Sequence, residues 1–214
     1  MGKIKQGILG GFSGQVGSVV GGSWKGIDYM RVKPARVSNP QTDLQLDQRM
    51  KFKATMQFLQ PISQFIRIGF KNFAVKMTAM NAAMSYNFHN AMQGIYPEYG
   101  IDYAKALVSR GNLAKASNPV VQSTTVGTIQ FSWSDNSTDI NASPTDKTML
   151  VVYNLVKNQA VCVVDEGIRS DSPQTVTLPN SFAGDLVHCY IGFISTDGQE
   201  LADSNYAGSV TVMD

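Results

Sequence analysis

The sequence predicts an α+β N-terminal region, a glycine-rich β-hairpin plus about three helices, followed by an all-β sandwich. Three observations predict it. Residues 1–26 hold nine glycines. Between residues 41 and 92 apolar side chains recur at three- and four-residue spacing, and from residue 118 the texture changes to short alternating runs divided by turn residues. The charge divides with it: residues 1–117 carry 15 Lys/Arg against 5 Asp/Glu (+10), residues 118–214 carry 3 against 11 (−8). The expected domains are therefore a basic one over 1–117 and an acidic one over 118–214.

Glycine at the density of the first segment lets a backbone bend sharply or lie close to another. Neither a G-x-x-x-x-G-K-[ST] nor a G-x-G-x-x-G follows a strand, so this is not a phosphate loop. Val16, Val19, Val20 and Trp24 read as extended, Lys25-Gly26 as a turn, and residues 27–33 alternate. Tyr29, Arg31 and Lys33 fall on one face of that run and Met30 and Val32 on the other. A hairpin over roughly residues 16–33 follows, and a lone two-stranded hairpin is marginal in water. It needs cover, from the helices that follow or from a neighbouring subunit.

Asn39-Pro40 reads as a cap and first helical residue. A helix over 41–60 then presents Leu46, Met50, Phe52, Met56 and Leu59, with Arg49 and Lys53 paired on another face. Pro61 breaks it, and a second helix runs over 62–76. Thr78 caps a third to about Met92, striped with Met80, Met84, Phe88 and Met92 as ordinary helix–helix core. Residues 94–117 read as an irregular connection, packed down by Tyr96, Tyr99 and Tyr103.

In the acidic part, strands are expected near 120–124 and over 128–134, 148–154, 160–164, 175–178, 187–195 and 207–213, with Asp197-Gly198 as a hairpin turn. An early Trp133 and a Tyr153 in the next strand complete the pattern of an immunoglobulin or fibronectin type III-like sandwich.

Catalytic chemistry is not spelled out. His89 and His188 stand in no metal-ligand spacing and beside no local nucleophile, and Asp165-Glu166 before Gly167 reads as a turn. Cys162 and Cys189 lie in apolar strand-like runs, as free buried thiols do. No catalytic residue, metal, cofactor or small-molecule substrate is expected, and no apolar run reaches the roughly 18 residues that span a bilayer. Residues 1–12 loosely imitate a secretory leader, but glycine dilutes the apolar stretch and Ser13 and Gln15 interrupt it. The expected setting is cytoplasmic or an assembled particle.

The run 14–21, Trp24-Lys25-Gly26, Arg31, Pro34 and Asn39-Pro40-Gln41-Thr42 with Gln45, Gln48 and Arg49 resemble a family of uncharacterised bacterial proteins, a domain of unknown function. The resemblance extends through Gly69-Phe70, the Met/Asn-rich third helix and Asp102-Tyr103. It implies no activity, cofactor or catalytic residue. The Asn39-Pro40 element is also similar to segments of small phage-encoded proteins.

The expected function is therefore a non-enzymatic structural subunit, of a filament, sheath or phage-like particle, that self-assembles head to tail. Val16, Val19, Val20, Trp24, Tyr29, Met30, Arg31, Lys33 and Arg36 are the expected interface, the basic ones meeting the acidic sandwich of the next copy. The alternative is a nucleic-acid-binding protein using Lys25, Arg49, Lys51 and Lys53 with nearby aromatic rings. A surface adhesin working through the sandwich loops is a third reading, disfavoured by the absence of a convincing leader.

Overall fold

In a computed structural model describing residues 2–4, 10–36, 39 and 41–214, backbone contacts divide the chain into two units, residues 1–45 and 46–214. The first is a meander of β1 (Lys3–Ile4), β2 (Phe12–Val16), β3 (Val19–Trp24) and β4 (Ile27–Val32), paired in that order and antiparallel. The expected hairpin is its β3–β4 half. Lys25 and Gly26 both have positive φ, 48° and 81°, the type I′ geometry whose twist matches a two-residue hairpin. The leader-like stretch and the expected Asn39-Pro40 cap fall in part on residues outside those described.

The second unit begins with α1 (Asp43–Leu59), α2 (Ser63–Gly69) and α3 (Ala79–Asn90), with a 3-10 turn at Lys71–Phe73. The first helix starts later than expected and buries Thr55, Phe58 and Leu59, whereas Met50 and Phe52 stay exposed. The second stops at Gly69 rather than running to 76. A Cβ there would lie 2.5 Å from the Val108 carbonyl, and the Gly69 carbonyl accepts from Arg110 N at 2.8 Å. The expected Thr78 cap is in place, its hydroxyl accepting from Asn81 N at 3.1 Å.

Residues 94–117 are not wholly irregular: β5 (Met92–Ile95) and β6 (Glu98–Ile101) form a hairpin. Of its tyrosines, Tyr96 is exposed, while Tyr99 donates to Asp47 and Tyr103 stacks on His188 with ring centroids 3.7 Å apart. Beyond it, Ala106, Leu107 and Val108 are buried. Asn87 holds that stretch by donating to the Leu107 carbonyl and accepting from its N–H, both at 2.9 Å.

The sandwich comprises β7 (Ser117–Gln122), β8 (Thr128–Ser134), β9 (Lys147–Asn154), β10 (Gln159–Ile168), β11 (Gln174–Thr177), β12 (Leu186–Ile194) and β13 (Asn205–Thr211). One sheet has the order β11-β8-β7 and the other β10-β9-β12-β13. Strand count and alternation predict an immunoglobulin or fibronectin III-like sandwich, and the three-plus-four division of the strands is of the fibronectin III kind. Asp165-Glu166-Gly167 is not a turn but a bulge within β10, where the register with β9 shifts between Val164 and Ile168.

Two apolar clusters explain why β9 and β12 read as nearly continuous apolar runs. Leu150, Val152, Cys189, Ile191 and Phe193 meet Ile129, Phe131, Trp133 and Val176 between the sheets. Met149, Val151, Tyr153, Tyr190 and Ile194 face the other way, onto Phe58, Leu59, Ile62, Phe65 and Ile66 of the helical layer. Both strands are thus covered on both faces. The charge boundary at 117/118 runs through this shared packing, which spans residues 46–214 as one unit.

Candidate assembly surface

The N-terminal sheet has a single layer. Its register places Phe12, Val16, Val19, Met30 and Val32 on one face and Val20, Trp24, Ile27, Tyr29 and Arg31 on the other. Every residue of β4 is exposed, with Met30 at 72% and Val32 at 73%. Large apolar side chains exposed on both faces are the reverse of an ordinary half-buried sheet, which hides one face.

The central glycines fit this layer. A Cβ on Gly21 would lie 2.2 Å from the Phe12 carbonyl and 2.6 Å from its ring. On the opposite face the Tyr29 ring lies over Gly22, 3.0 Å from where its Cβ would be. Each aromatic ring thereby covers backbone that a side chain would otherwise shield.

The structure brings together eight of the nine expected interface residues. Val16, Val19 and Met30 share one face, while Val20, Trp24, Tyr29 and Arg31 share the other. Lys33 closes the sheet by donating its N–H to the Ser18 carbonyl at 2.7 Å, and exposed Arg36 lies beyond the last strand. Phe12, Ile27 and Val32 belong to the same faces and were absent from the expected set. The two-residue alternation of 27–32 is the signal that identifies Ile27 and Val32; Phe12 becomes legible only through its pairing neighbours.

The expected nucleic-acid residues are divided. Lys25 sits in the β3–β4 turn, whereas Arg49, Lys51 and Lys53 are on α1 in the other unit. Lys51 is engaged locally: its ammonium lies 2.8 Å from Asp47 and 5.1 Å from the centre of the Tyr99 ring. Hydrogen bonds from Lys51 and then Tyr99 hold the Asp47 carboxyl below its usual range.

The second unit also carries an open cleft of about 520 Å³ lined by Phe73, Tyr86, His89 and Arg110, the guanidinium lying 4.4 Å from the Phe73 ring centre. His89 is exposed there and bonded through Nδ1 to the Ser85 carbonyl at 2.7 Å. His188 is half-buried, its Nδ1 2.9 Å from the Tyr206 hydroxyl, and burial pushes its pKa down. Cys162 and Cys189 are free thiols, but only Cys189 is buried as expected, and burial pushes its pKa up to about 12; Cys162 is exposed on β10. Among the described residues no three His, Cys, Asp or Glu side chains gather as metal ligands, and no helix is long and apolar enough to cross a membrane.

The sequence profile described as "Family of unknown function (DUF6266)" matches residues 11–208. No curated protein matches the chain. Among solved structures, it is similar to the fibronectin type III domain of human collagen alpha-1(XX) chain, at 13% identity and a TM-score of 0.37, covering 48% of this chain and 87% of that one. The FN5 domain of Drosophila Lar gives 13% identity and 0.32, covering 48% and 99%. The FN1–FN3 domains of chicken CNTN1 give 8% and 0.34, covering 54% and 35%.

Proposed function

We propose that this chain, which belongs to the DUF6266 family of unknown function, is a non-enzymatic structural subunit that self-assembles through its N-terminal sheet. The observation that carries the reading is the single-layered β-meander with large apolar side chains exposed on both faces. Its own unit, residues 1–45, holds no second sheet or complete helix among its described residues to cover either face. A layer of this kind gains stability by burying apolar area, at about 25 cal/mol per Å², and a neighbouring copy supplies the area.

Charge supports a head-to-tail contact. Residues 1–45 carry six Lys/Arg and two Asp/Glu, while residues 118–214 are at −8. The basic sheet of one copy and the acidic sandwich of the next attract each other, with Arg31, Lys33 and Arg36 as the cationic contacts. A filament, sheath or phage-like particle is the class of structure such a contact builds.

Light scattering coupled to size exclusion tests this, on the full chain and on a variant lacking residues 1–42. The full chain is expected well above its 23.3 kDa monomer mass, and the shortened one as a monomer. Equal assembly of the two overturns the reading. So does a large species whose absorbance is that of nucleic acid, which transfers the function to the basic residues.

A further inference from the structure

The free edge of the N-terminal sheet has a definite polarity. β4 is hydrogen-bonded to β3 on one side, and its other side has no strand among the described residues. A two-residue type I′ turn makes Trp24 and Ile27 a hydrogen-bonded pair. Ladder bonds alternate along an antiparallel pair, so Ile27, Tyr29 and Arg31 direct their N–H and C=O groups to β3. The Lys33 N–H, donating to Ser18, continues the same parity. Asp28, Met30 and Val32 therefore aim theirs outward.

Elsewhere the chain blunts its edges. β10 carries the bulge at 165–167 with two carboxylates, β7 carries Pro119 and a register shift between Ser117 and Val120, and β11 is four residues long. β4 has no bulge, proline or shortened length: it is six residues long and pairs with β3 without a register shift, and its charges, Asp28 and Arg31, are of opposite sign.

The geometry points to a second copy of this chain as the occupant of the β4 edge, paired antiparallel across a twofold axis at Met30. This rests on the self-association reading and concerns the edge, whereas the charge-driven contact uses the faces. A strand pairing with itself keeps each face continuous, so residues opposite one another differ by an even number. Centring on Met30 sets Asp28 against Val32 and Met30 against Met30, employing every outward backbone group. It also sets Tyr29 against the other copy's Arg31, guanidinium beside phenol ring, on both sides of the axis.

Neighbouring registers are worse. Centres at Asp28 or Arg31 put like charges opposite each other, and a centre at Val32 puts Arg31 against Lys33. A centre at Tyr29 leaves the outward groups of Val32 facing the Gly26 turn. The pairing at Met30 joins two four-stranded sheets into one continuous sheet.

Site-directed cross-linking tests the register on the full chain in a Cys162→Ser background, Cys189 being buried. Met30→Cys places two thiols on the axis with Cα atoms about 5.5 Å apart, within disulfide reach. Ile27→Cys places them about 20 Å apart, three residues to either side. Under mild oxidation, Met30→Cys is expected to form covalent dimer at least tenfold faster than Ile27→Cys. Met30→Pro, which removes an outward N–H and no bond to β3, is expected to abolish the twofold species in light scattering.

Equal cross-linking of the two cysteine variants in a protein that still assembles overturns the Met30 register and leaves self-association standing. Unchanged assembly of Met30→Pro overturns the edge pairing in the same way. A full-length monomer at all concentrations removes both this inference and the reading beneath it.

Discussion

The two units of this chain deal with apolar surface in opposite ways. The larger one stacks a helical layer and two sheets, so that β9 and β12 are covered on both sides, and even the guanidinium of Arg169 is fully enclosed. The smaller one is a single sheet in which glycines occupy the centre and aromatic rings lie across them, while Met30, Val32 and Ile27 are exposed. The first arrangement satisfies itself within one chain. The second leaves a strand edge without a partner strand among the described residues and apolar side chains exposed on both faces.

If that contrast holds, substitutions in the enclosed unit act on folding, and substitutions in the sheet act on association. The largest effect is expected at Arg169. Its Nε and Nη2 each lie 3.1 Å from Asp146 Oδ2, Nη1 donates to Asn136 Oδ1 and Nη2 to the Ala114 carbonyl, both at 2.9 Å, and its guanidinium carbon lies 3.9 Å from the centre of the Phe193 ring. Burial lowers its pKa against the opposing pull of Asp146. Arg169→Ala leaves a buried carboxylate without its counter-ion, which costs about 3–5 kcal/mol. Denaturant unfolding followed by Trp133 fluorescence measures it, and an unchanged midpoint would show that the network is not what closes this end of the sandwich.

A smaller effect is expected at the third helix. Thr78→Ala removes the hydroxyl that accepts from Asn81 N and should lower stability by about 1 kcal/mol in the same unfolding experiment. A loss of that size without a change in oligomer mass would sharpen the division between folding and association.

The mildest effect is a pH dependence. Burial against Tyr103 holds the His188 pKa below its ordinary 6.5. The unfolded chain therefore takes up a proton first as pH falls, so the contribution of neutral His188 is fully present above that value and is lost below it. His188→Gln should flatten the fall in Tm between about pH 7 and 5 relative to the parent. Identical slopes in the two proteins would remove His188 from the explanation.

Much of the fold was legible from residue periodicity, because its signals are local. The seven strands of the sandwich are each within a few residues of their alternating runs, and the Lys25-Gly26 turn and the Thr78 cap depend only on near neighbours. The β5–β6 hairpin was hidden because Gly94, Pro97 and Gly100 look like loop punctuation unless the strands are already paired. The face of α1 was misjudged for a related reason: Met50 and Phe52 are as apolar as Phe58 and Leu59, and only the position of the sheet beneath the helix selects between them.

By itself, then, the amino-acid order determined the sandwich strands, the Lys25-Gly26 turn, the Thr78 cap, the charge asymmetry and the apolar alternation of residues 27–32, since each is set by spacing along the chain. Tertiary structure alone decided that the helical layer and the sandwich share one packed unit despite the change of charge at residue 117. It also decided which backbone groups of β4 face outward. Charge acts over long distances and tolerates either arrangement, whereas packing and hydrogen-bond parity depend on which segments come to lie side by side.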